Sequence, residues 1–125
     1  MEPARLSTVN LFVRNVPRAV DFYSQVFGLA VEDRMPADEG ARLPAGGTTL
    51  MLQSAAALGE PLERVGGVEL GFEVDDLDAA RERLAAWGVN PGPIETLSFG
   101  RSFNAVDPDG HRLAVYTLAV GGKDD

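Results

Sequence analysis

The two halves of this 125-residue sequence carry the same order of hydrophobic patterns. In the first half, residues 8–13 alternate apolar and polar side chains, as strands do, and residues 16–27 place apolar side chains at helical spacing. Residues 68–74 and 77–87 repeat this strand-then-helix order, and each helical pattern ends at a glycine. This repeat indicates that one supersecondary unit has been duplicated within the chain.

Each half is therefore predicted to form a βαβββ module, and the whole chain to have an α+β fold. In the first half, three short strands are expected after the helix, at residues 29–34, 41–43 and 48–53, because prolines and a Gly-Gly pair separate these segments. Asn15 is expected to cap the helix and Pro17 to lie in its first turn. The apolar stripe on each helix requires a sheet to cover it.

The repeat also suggests how the chain is divided. We predict a single domain spanning residues 1–125, with the first module at residues 6–55 and the second at residues 68–120. Residues 56–67 carry weak patterning, with alanines, glycines and a proline, and are predicted to form a linker. Residues 121–125 are predicted to be a flexible tail.

The balance of charges narrows the range of partners. Nineteen acidic and eleven basic residues give a formal net charge of −8, which repels nucleic acid and anionic lipid headgroups. We therefore expect no nucleic-acid partner and no membrane partner, and no apolar run approaches the roughly 18–20 residues of a membrane span. The sequence contains no cysteine, which excludes disulfides and thiol nucleophiles and suits a reducing compartment. Because the N-terminus does not begin a signal peptide, a cytoplasmic location is expected.

Three segments resemble a known family. Residues 15–29 contain a Phe-Tyr pair and end in Phe-Gly-Leu, residues 99–103 form an aromatic-Gly strand, and residues 107–111 read Asp-Pro-Asp-Gly-His. In this order within a duplicated chain, they resemble the vicinal oxygen chelate superfamily of glyoxalases, extradiol dioxygenases and bleomycin-resistance proteins, over most of residues 8–120. The resemblance implies that two tandem βαβββ modules form a cup-shaped, curved mixed sheet with the helices outside and a ligand on the concave side.

The resemblance also implies where a metal would be bound. Enzymes of the family hold a divalent ion with four inward side chains, from the first and last strands of each module. The matching positions here are Thr8, Met51, Glu69 and Ala114. Only Glu69 is a good ligand, whereas a catalytic ion needs roughly three protein ligands. We therefore expect no metal and no other cofactor at this place, although a two-residue shift of register would offer Asn10 and Gln53.

Period-two alternation along the strands predicts which side chains face the cup. These residues combine aromatic, sulfur-containing and polar groups, a composition more typical of a small-molecule site than of a dry core. The resemblance adds Phe99 and Phe103, because binding members of the family present aromatic side chains there. The predicted ligand-binding residues are Thr8, Asn10, Phe12, Met51, Gln53, Glu69, Glu73, Phe99, Phe103 and Tyr116.

Several of these side chains have simpler interpretations as well. Glu69 is either an acidic anchor for a cationic ligand, a carboxylate base, or an exposed residue at the start of a strand. Phe12, Met51 and Tyr116 are also typical core residues. Phe99 is expected to pack under the hairpin that follows it.

That hairpin contains the only histidine of the chain. Its Asp-Pro-Asp-Gly sequence is typical of a turn, in which Asp107 is the turn-forming residue. His111 is expected to face solvent and not to act in catalysis, because one isolated side chain rarely makes a site.

Taken together, the residues predict a small-molecule-binding protein of the bleomycin-resistance type. Its ligand is expected to be aromatic, and the net charge of −8 favours a positive charge on it. The resemblance implies a homodimer. Two alternatives remain: a metal-dependent glyoxalase-type lyase, isomerase or dioxygenase, and a metal-free enzyme with Glu69 as general base, a role that requires a buried carboxylate.

Overall fold

The chain divides into two compact units, Met1–Leu62 and Glu63–Asp125. The structure is a computed structural model that describes residue 3 and residues 6–59 and 68–119. Each unit contains a four-stranded mixed sheet and one longer helix, so the predicted α+β fold of tandem βαβββ modules is confirmed. No helix in the described parts of the chain is both long and apolar enough to span a bilayer.

The first module has the predicted order of elements. The elements are β1 (Thr8–Val13), α1 (Val16–Phe27), β2 (Asp33–Arg34), a 3₁₀ turn (Pro36–Asp38), β3 (Gly40–Ala45), β4 (Thr48–Ser54) and α2 (Ala55–Leu58). The strands pair in the order β1-β4-β3-β2, with β1 parallel to β4 and the other neighbours antiparallel. The short helix α2 follows the last strand and occupies the beginning of the predicted linker. The rest of that linker, from residue 60 to 67, lies outside the described residues, as does the predicted tail.

Helix α1 begins and ends at the predicted residues. Asn15 accepts a hydrogen bond from the Arg18 N–H through its side-chain oxygen, at 2.9 Å, and Pro17 lies in the first turn. Gly28 ends the helix in a left-handed conformation with φ of 72°. The apolar stripe is fully buried and consists of Val16, Ala19, Val20, Phe22, Tyr23 and Val26.

The sheet provides the apolar face that covers this stripe. Alternate residues of β1, β3 and β4 are buried on the side where α1 packs. Each leucine or valine among them contributes roughly 1.5–3 kcal/mol when its side chain is removed from water, and the alanine contributes less. They are Leu11, Val13, Ala41, Leu43, Leu50 and Leu52.

The second module repeats the topology of the first. Its elements are β5 (Glu69–Glu73), α3 (Leu77–Ala86), β6 (Glu95–Leu97), β7 (Gly100–Val106) and β8 (Arg112–Leu118). The strands pair in the order β5-β8-β7-β6, and β5 is parallel to β8 as β1 is to β4. Asp76 caps α3 by accepting a hydrogen bond from the Ala79 N–H at 3.0 Å, in the place that Asn15 has in the first module.

One predicted strand is much shorter than expected. Residues 29–34 were expected to pair along their length, but only Asp33–Arg34 does so. The Leu29 N–H bonds to the Tyr23 carbonyl oxygen in the last turn of α1, so this residue still serves the end of the helix. Pairing with β3 begins only at the Glu32 N–H, which donates to the Arg42 carbonyl oxygen at 2.8 Å.

Candidate functional site

Each sheet has one face that carries the buried core and an opposite face, which we call the far face. Because side chains alternate along a strand, the far faces are the sides on which a ligand can meet strand residues without disturbing the core. The far face of the first module consists of Thr8, Asn10 and Phe12 from β1, Gly40, Arg42 and Pro44 from β3, and Thr49, Met51 and Gln53 from β4. The far face of the second module includes Glu69, Gly71 and Glu73 from β5 and Arg112, Ala114 and Tyr116 from β8.

The first far face brings five predicted ligand residues together. The parallel register of β1 and β4 places Asn10 beside Met51 and Phe12 beside Gln53, with Thr8 one row away. Thr8 and Asn10 are exposed, Phe12 and Gln53 are half-buried, and Met51 is 8% exposed. The sulfur and aromatic groups are therefore flanked by polar side chains, as the alternation predicted.

Arg42 belongs to the same face and was not predicted. It lies directly opposite Met51 in the antiparallel register of β3 and β4. Its Nη1 is 3.7 Å from the Met51 Sδ, and its Nε donates to Glu32 Oε1 at 3.1 Å. The sequence contains a signal for this placement, because Gly40, Arg42 and Pro44 alternate with the apolar Ala41 and Leu43. The signal identifies Arg42 as a neighbour of Met51 only when the pairing register of β3 with β4 is known.

The second far face carries a pair of aromatic rings. The Phe99 ring centroid is 6.1 Å from that of Tyr116, with an interplanar angle of 89°, which is the edge-to-face arrangement. Phe99 is 46% exposed, so the expectation that it packs under the hairpin is wrong. A Cβ added to Gly71 would lie 3.6 Å from Tyr116 Cε1, which shows that the Tyr116 ring lies beside this glycine.

Two carboxylates lie on the same far face. Glu69 is exposed, and its Oε2 is 3.8 Å from Arg112 Nη2, at the long end of an ion pair. Glu73 is also exposed and forms no ion pair with another described residue. Glu73 and Tyr116 are direct partners in the parallel register of β5 and β8, so an acidic and an aromatic residue are neighbours on this face.

Phe103 lies in the core and not with the other predicted ligand residues. It is 1% exposed and is paired with Val115, on the side of the sheet that also carries the buried Leu113. The register of β7 against β8 puts Ser102 and Asn104 on the far face and Phe103 between them on the core face. Its ring is therefore unavailable to a ligand on the far face.

His111 is buried, so the expectation that it faces solvent is wrong. Its Nδ1 is 2.7 Å from Oδ2 of Asp107, which is also buried. Oδ1 of the same carboxylate accepts the Asp109 N–H at 2.9 Å and the His111 N–H at 2.8 Å. Asp107 is the turn former that the sequence predicted, and its second oxygen additionally holds the imidazole. The sequence did contain a signal for this burial, because position 111 alternates with the buried Leu113 and Val115 and therefore belongs to the core face of β8.

The residues at the expected metal positions do not fit a divalent ion. Met51 offers only a thioether, which already contacts the Arg42 guanidinium, and Ala114 offers no donor. Glu69 is the one carboxylate, and a cation, Arg112, is its neighbour. In the described ranges, no three His, Cys, Asp or Glu side chains lie close enough together to hold a metal. Hard divalent ions require more oxygen or nitrogen ligands than this.

Glu69 also lacks the surroundings of a general base. Its side chain is 39% exposed, whereas a catalytic carboxylate is usually activated by removal from water. Its Oε2 is already paired with the Arg112 guanidinium, at 3.8 Å from Nη2. The geometry of Glu69 is that of an anchor or of a solvated strand residue.

A model of one protein family matches most of the chain. The Glyoxalase/Bleomycin resistance protein/Dioxygenase superfamily model aligns with residues 5–115. This range contains all three segments on which the resemblance was based. No curated protein matches the chain.

Solved structures with the same fold include proteins named for binding and for catalysis. TnmS3, an antibiotic binding protein from Streptomyces sp. CB03234, is 24% identical with a TM-score of 0.72, over 95% of this chain and 99% of that chain. TioX from Micromonospora sp. ML1 is 25% identical with a TM-score of 0.71, over 93% and 100%. Lactoylglutathione lyase from Agrobacterium tumefaciens is 20% identical with a TM-score of 0.71, over 94% and 96%.

Proposed function

Because the chain belongs to the Glyoxalase/Bleomycin resistance protein/Dioxygenase superfamily, we propose that it binds a small aromatic ligand, preferably a cation, without a catalytic metal. The observation that carries the proposal is the second far face, where the exposed Phe99 ring meets the ring of Tyr116 and Glu73 is the strand partner of Tyr116. Thr8, Asn10, Phe12, Met51 and Gln53 are proposed as further ligand contacts, and Glu69 as a second acidic anchor.

Aromatic and acidic groups in this arrangement suit a planar cation. Aromatic pairs contribute about 0.5–1.5 kcal/mol beyond the apolar area that they bury. A cation over an aromatic face gains about 0.5–2 kcal/mol, depending on how far it is desolvated. A carboxylate next to the ring adds attraction to the same charge, and the net charge of −8 raises the local concentration of cations.

The donor chemistry favours binding over metal-dependent turnover. Family enzymes act through a divalent ion, and Thr8, Met51 and Ala114 replace ligands that such an ion needs. The structural likeness to TnmS3, which is described as an antibiotic binding protein, supports a binding role more than the likeness to the lyase does, because Thr8, Met51 and Ala114 offer no ligand set for a divalent ion.

Calorimetric titration with a matched pair of probes tests the proposal. 9-Aminoacridine is a planar cation at neutral pH, and acridine has the same ring system without the charge. We expect 9-aminoacridine to bind with a Kd below about 1 mM, equivalent to about 4 kcal/mol, and more tightly than acridine. If neither probe binds below this concentration, the proposal is wrong.

Three variants locate the binding. Tyr116→Leu removes the ring and is expected to weaken 9-aminoacridine binding about 5- to 30-fold. Glu73→Gln removes one charge and is expected to weaken the cation about 2- to 5-fold while leaving acridine unchanged. Glu82→Gln is the matched control, because Glu82 is also exposed but lies on α3, away from the far face. Equal effects of the two glutamine variants would refute the assignment of Glu73.

We also propose that the protein is a cytoplasmic homodimer without nucleic-acid or membrane partners. The support is the family membership and the acidic composition. Light scattering coupled to size exclusion tests the dimer, since a chain of 13.3 kDa should then elute with twice that mass. A measured mass of one chain would contradict the dimer.

A further inference from the structure

Arg42 is held in place on the first far face by two contacts on different elements. Its Nε donates to Glu32 Oε1 at 3.1 Å, just before β2, and its Nη1 lies 3.7 Å from the Met51 sulfur on β4. The guanidinium is thereby fixed across a row of the sheet in which Asn10, Met51 and Arg42 stand side by side. Its side chain is 41% exposed, so one part is packed and another part meets solvent.

Within the part of the chain that the structure describes, the two contacts use only part of the guanidinium. An arginine has five N–H donors in a planar fork, and the contacts with described residues use the Nε–H and one N–H of Nη1. The Met51 thioether is a weak acceptor, so Nη1 is only partly satisfied. The edge formed by Nη1 and Nη2 retains the parallel donors that match the two oxygens of a carboxylate.

A surface ion pair alone would not explain this placement. An exposed Arg–Glu pair contributes little to stability, and Glu32 is more exposed than its partner. The contact with Met51 turns the arginine inward over the sheet, although an ion pair with Glu32 does not require this. The arrangement is that of a planar donor group oriented by its neighbours before any ligand arrives.

We propose that Arg42 is an anion anchor, and that the aromatic ligand carries, besides any positive charge, a carboxylate or a similar planar pair of oxygens on its ring system. The inference rests on the proposed function, because it takes the first far face, which carries Arg42, as a place where an aromatic ligand lies. Arg42 supplies a short-range, bidentate contact on a protein whose net charge of −8 otherwise repels anions.

The sheet geometry also sets the size of such a ligand. Phe12 lies on the same face, two strands and one row from Arg42. With strands about 4.8 Å apart and about 6.7 Å between alternate residues, the two Cα atoms are separated by roughly 12 Å. A side chain of arginine length shortens this gap, so a ring system of two or three fused rings spans from the Phe12 ring to the guanidinium.

The test compares acridine with its 2-, 4- and 9-carboxylates by calorimetry in the wild-type protein and in two methionine variants. Arg42→Met keeps an unbranched apolar side chain and removes the fork. Arg34→Met removes the same charge from the same sheet. Arg34 is paired with Ala41, so its side chain belongs to the opposite face from Arg42; it is exposed and forms no hydrogen bond or ion pair with another described side chain. Far-UV circular dichroism and urea unfolding verify that each variant is folded.

The quantity measured is the ratio of the Kd of acridine to the Kd of each carboxylate. For at least one isomer we expect Arg42→Met to lower this ratio about tenfold or more, and Arg34→Met to change it by less than about twofold. Arg42→Lys keeps the charge but lacks the planar fork, so it is expected to lower the same ratio nearly as much as Arg42→Met does. This variant also serves if Arg42→Met does not fold.

The outcomes separate this inference from the proposed function. If the acridines bind but no isomer depends on Arg42 more than on Arg34, the anion anchor is refuted while the aromatic site stands. If carboxylates bind through Arg42 and 9-aminoacridine does not bind, the anchor stands and the preference for cations is refuted. If no probe binds at all, both proposals fail.

Discussion

Replacing Asp107 by alanine tests how the buried turn holds the second module together. The carboxylate accepts three hydrogen bonds, from the backbone of Asp109 and from the backbone and ring of His111, at 2.9, 2.8 and 2.7 Å. The two bonds from His111 are buried, whereas the Asp109 N–H is part-buried, so that water can replace its acceptor. Alanine therefore leaves two buried donors without a partner.

The expected loss follows from these donors. Each of the two buried donors left unsatisfied costs about 1–3 kcal/mol, so Asp107→Ala should lower the free energy of unfolding by about 2–6 kcal/mol. Asp107→Asn keeps one oxygen for the backbone donors and loses mainly the charged contact to the imidazole, so a smaller loss of about 1.5–3 kcal/mol is expected. Urea unfolding followed by circular dichroism measures both.

A matched surface aspartate provides the control. Asp75 belongs to the same module, is exposed and forms no side-chain hydrogen bond or ion pair with another described residue, so Asp75→Ala should change the free energy of unfolding by no more than about 0.5 kcal/mol. An Asp107→Ala protein that unfolds within about 1 kcal/mol of the Asp75→Ala protein would show that the turn is solvated and that the burial of His111 has no energetic consequence.

Three further substitutions test the fold. Gly100→Ala should lower the free energy of unfolding by more than about 3 kcal/mol, because Gly100 has a φ of 149° and an added Cβ would overlap the Thr117 carbonyl oxygen. Gly47→Ala is the control and should have little effect, because the space around Gly47 is open. Urea unfolding compares the two variants. Asn15→Ala should lose about 1 kcal/mol by removing the cap of α1, as measured by thermal unfolding. Phe103→Ala should lose about 3–5 kcal/mol, and a stability close to wild type would return Phe103 to the ligand face.

The sequence was sufficient for the fold because local and repeated signals agree. The duplicated strand-then-helix pattern, the Asn15 and Asp76 caps and the glycine at the end of α1 each specify the same module, and the structure contains two such modules. Only the strand predicted at residues 29–34 was overestimated, because hydrogen bonding at the helix end takes over residues that have a strand-like pattern.

The candidate site was less predictable because it depends on register. Alternation correctly grouped Thr8, Asn10 and Phe12 on one face, since a single strand fixes their parity. Phe103 and Arg42 belong to strands whose pairing partners decide the face, and a shift of one residue exchanges core and ligand sides. Alternation with the buried Leu113 and Val115 indicates the core side for His111, but the bond of its ring to Asp107 is a contact between side chains that no periodic pattern shows.

Titration of 9-aminoacridine into protein dialysed against EDTA, with and without added Ni²⁺, Zn²⁺, Mn²⁺ or Fe²⁺, tests most directly whether this chain binds ligands without a metal. We expect the same Kd within about twofold under all conditions, and elemental analysis of the purified protein to show no stoichiometric ion. A tightly held ion whose removal abolishes ligand binding, or whose restoration produces lyase, isomerase or dioxygenase activity, would contradict the proposed function.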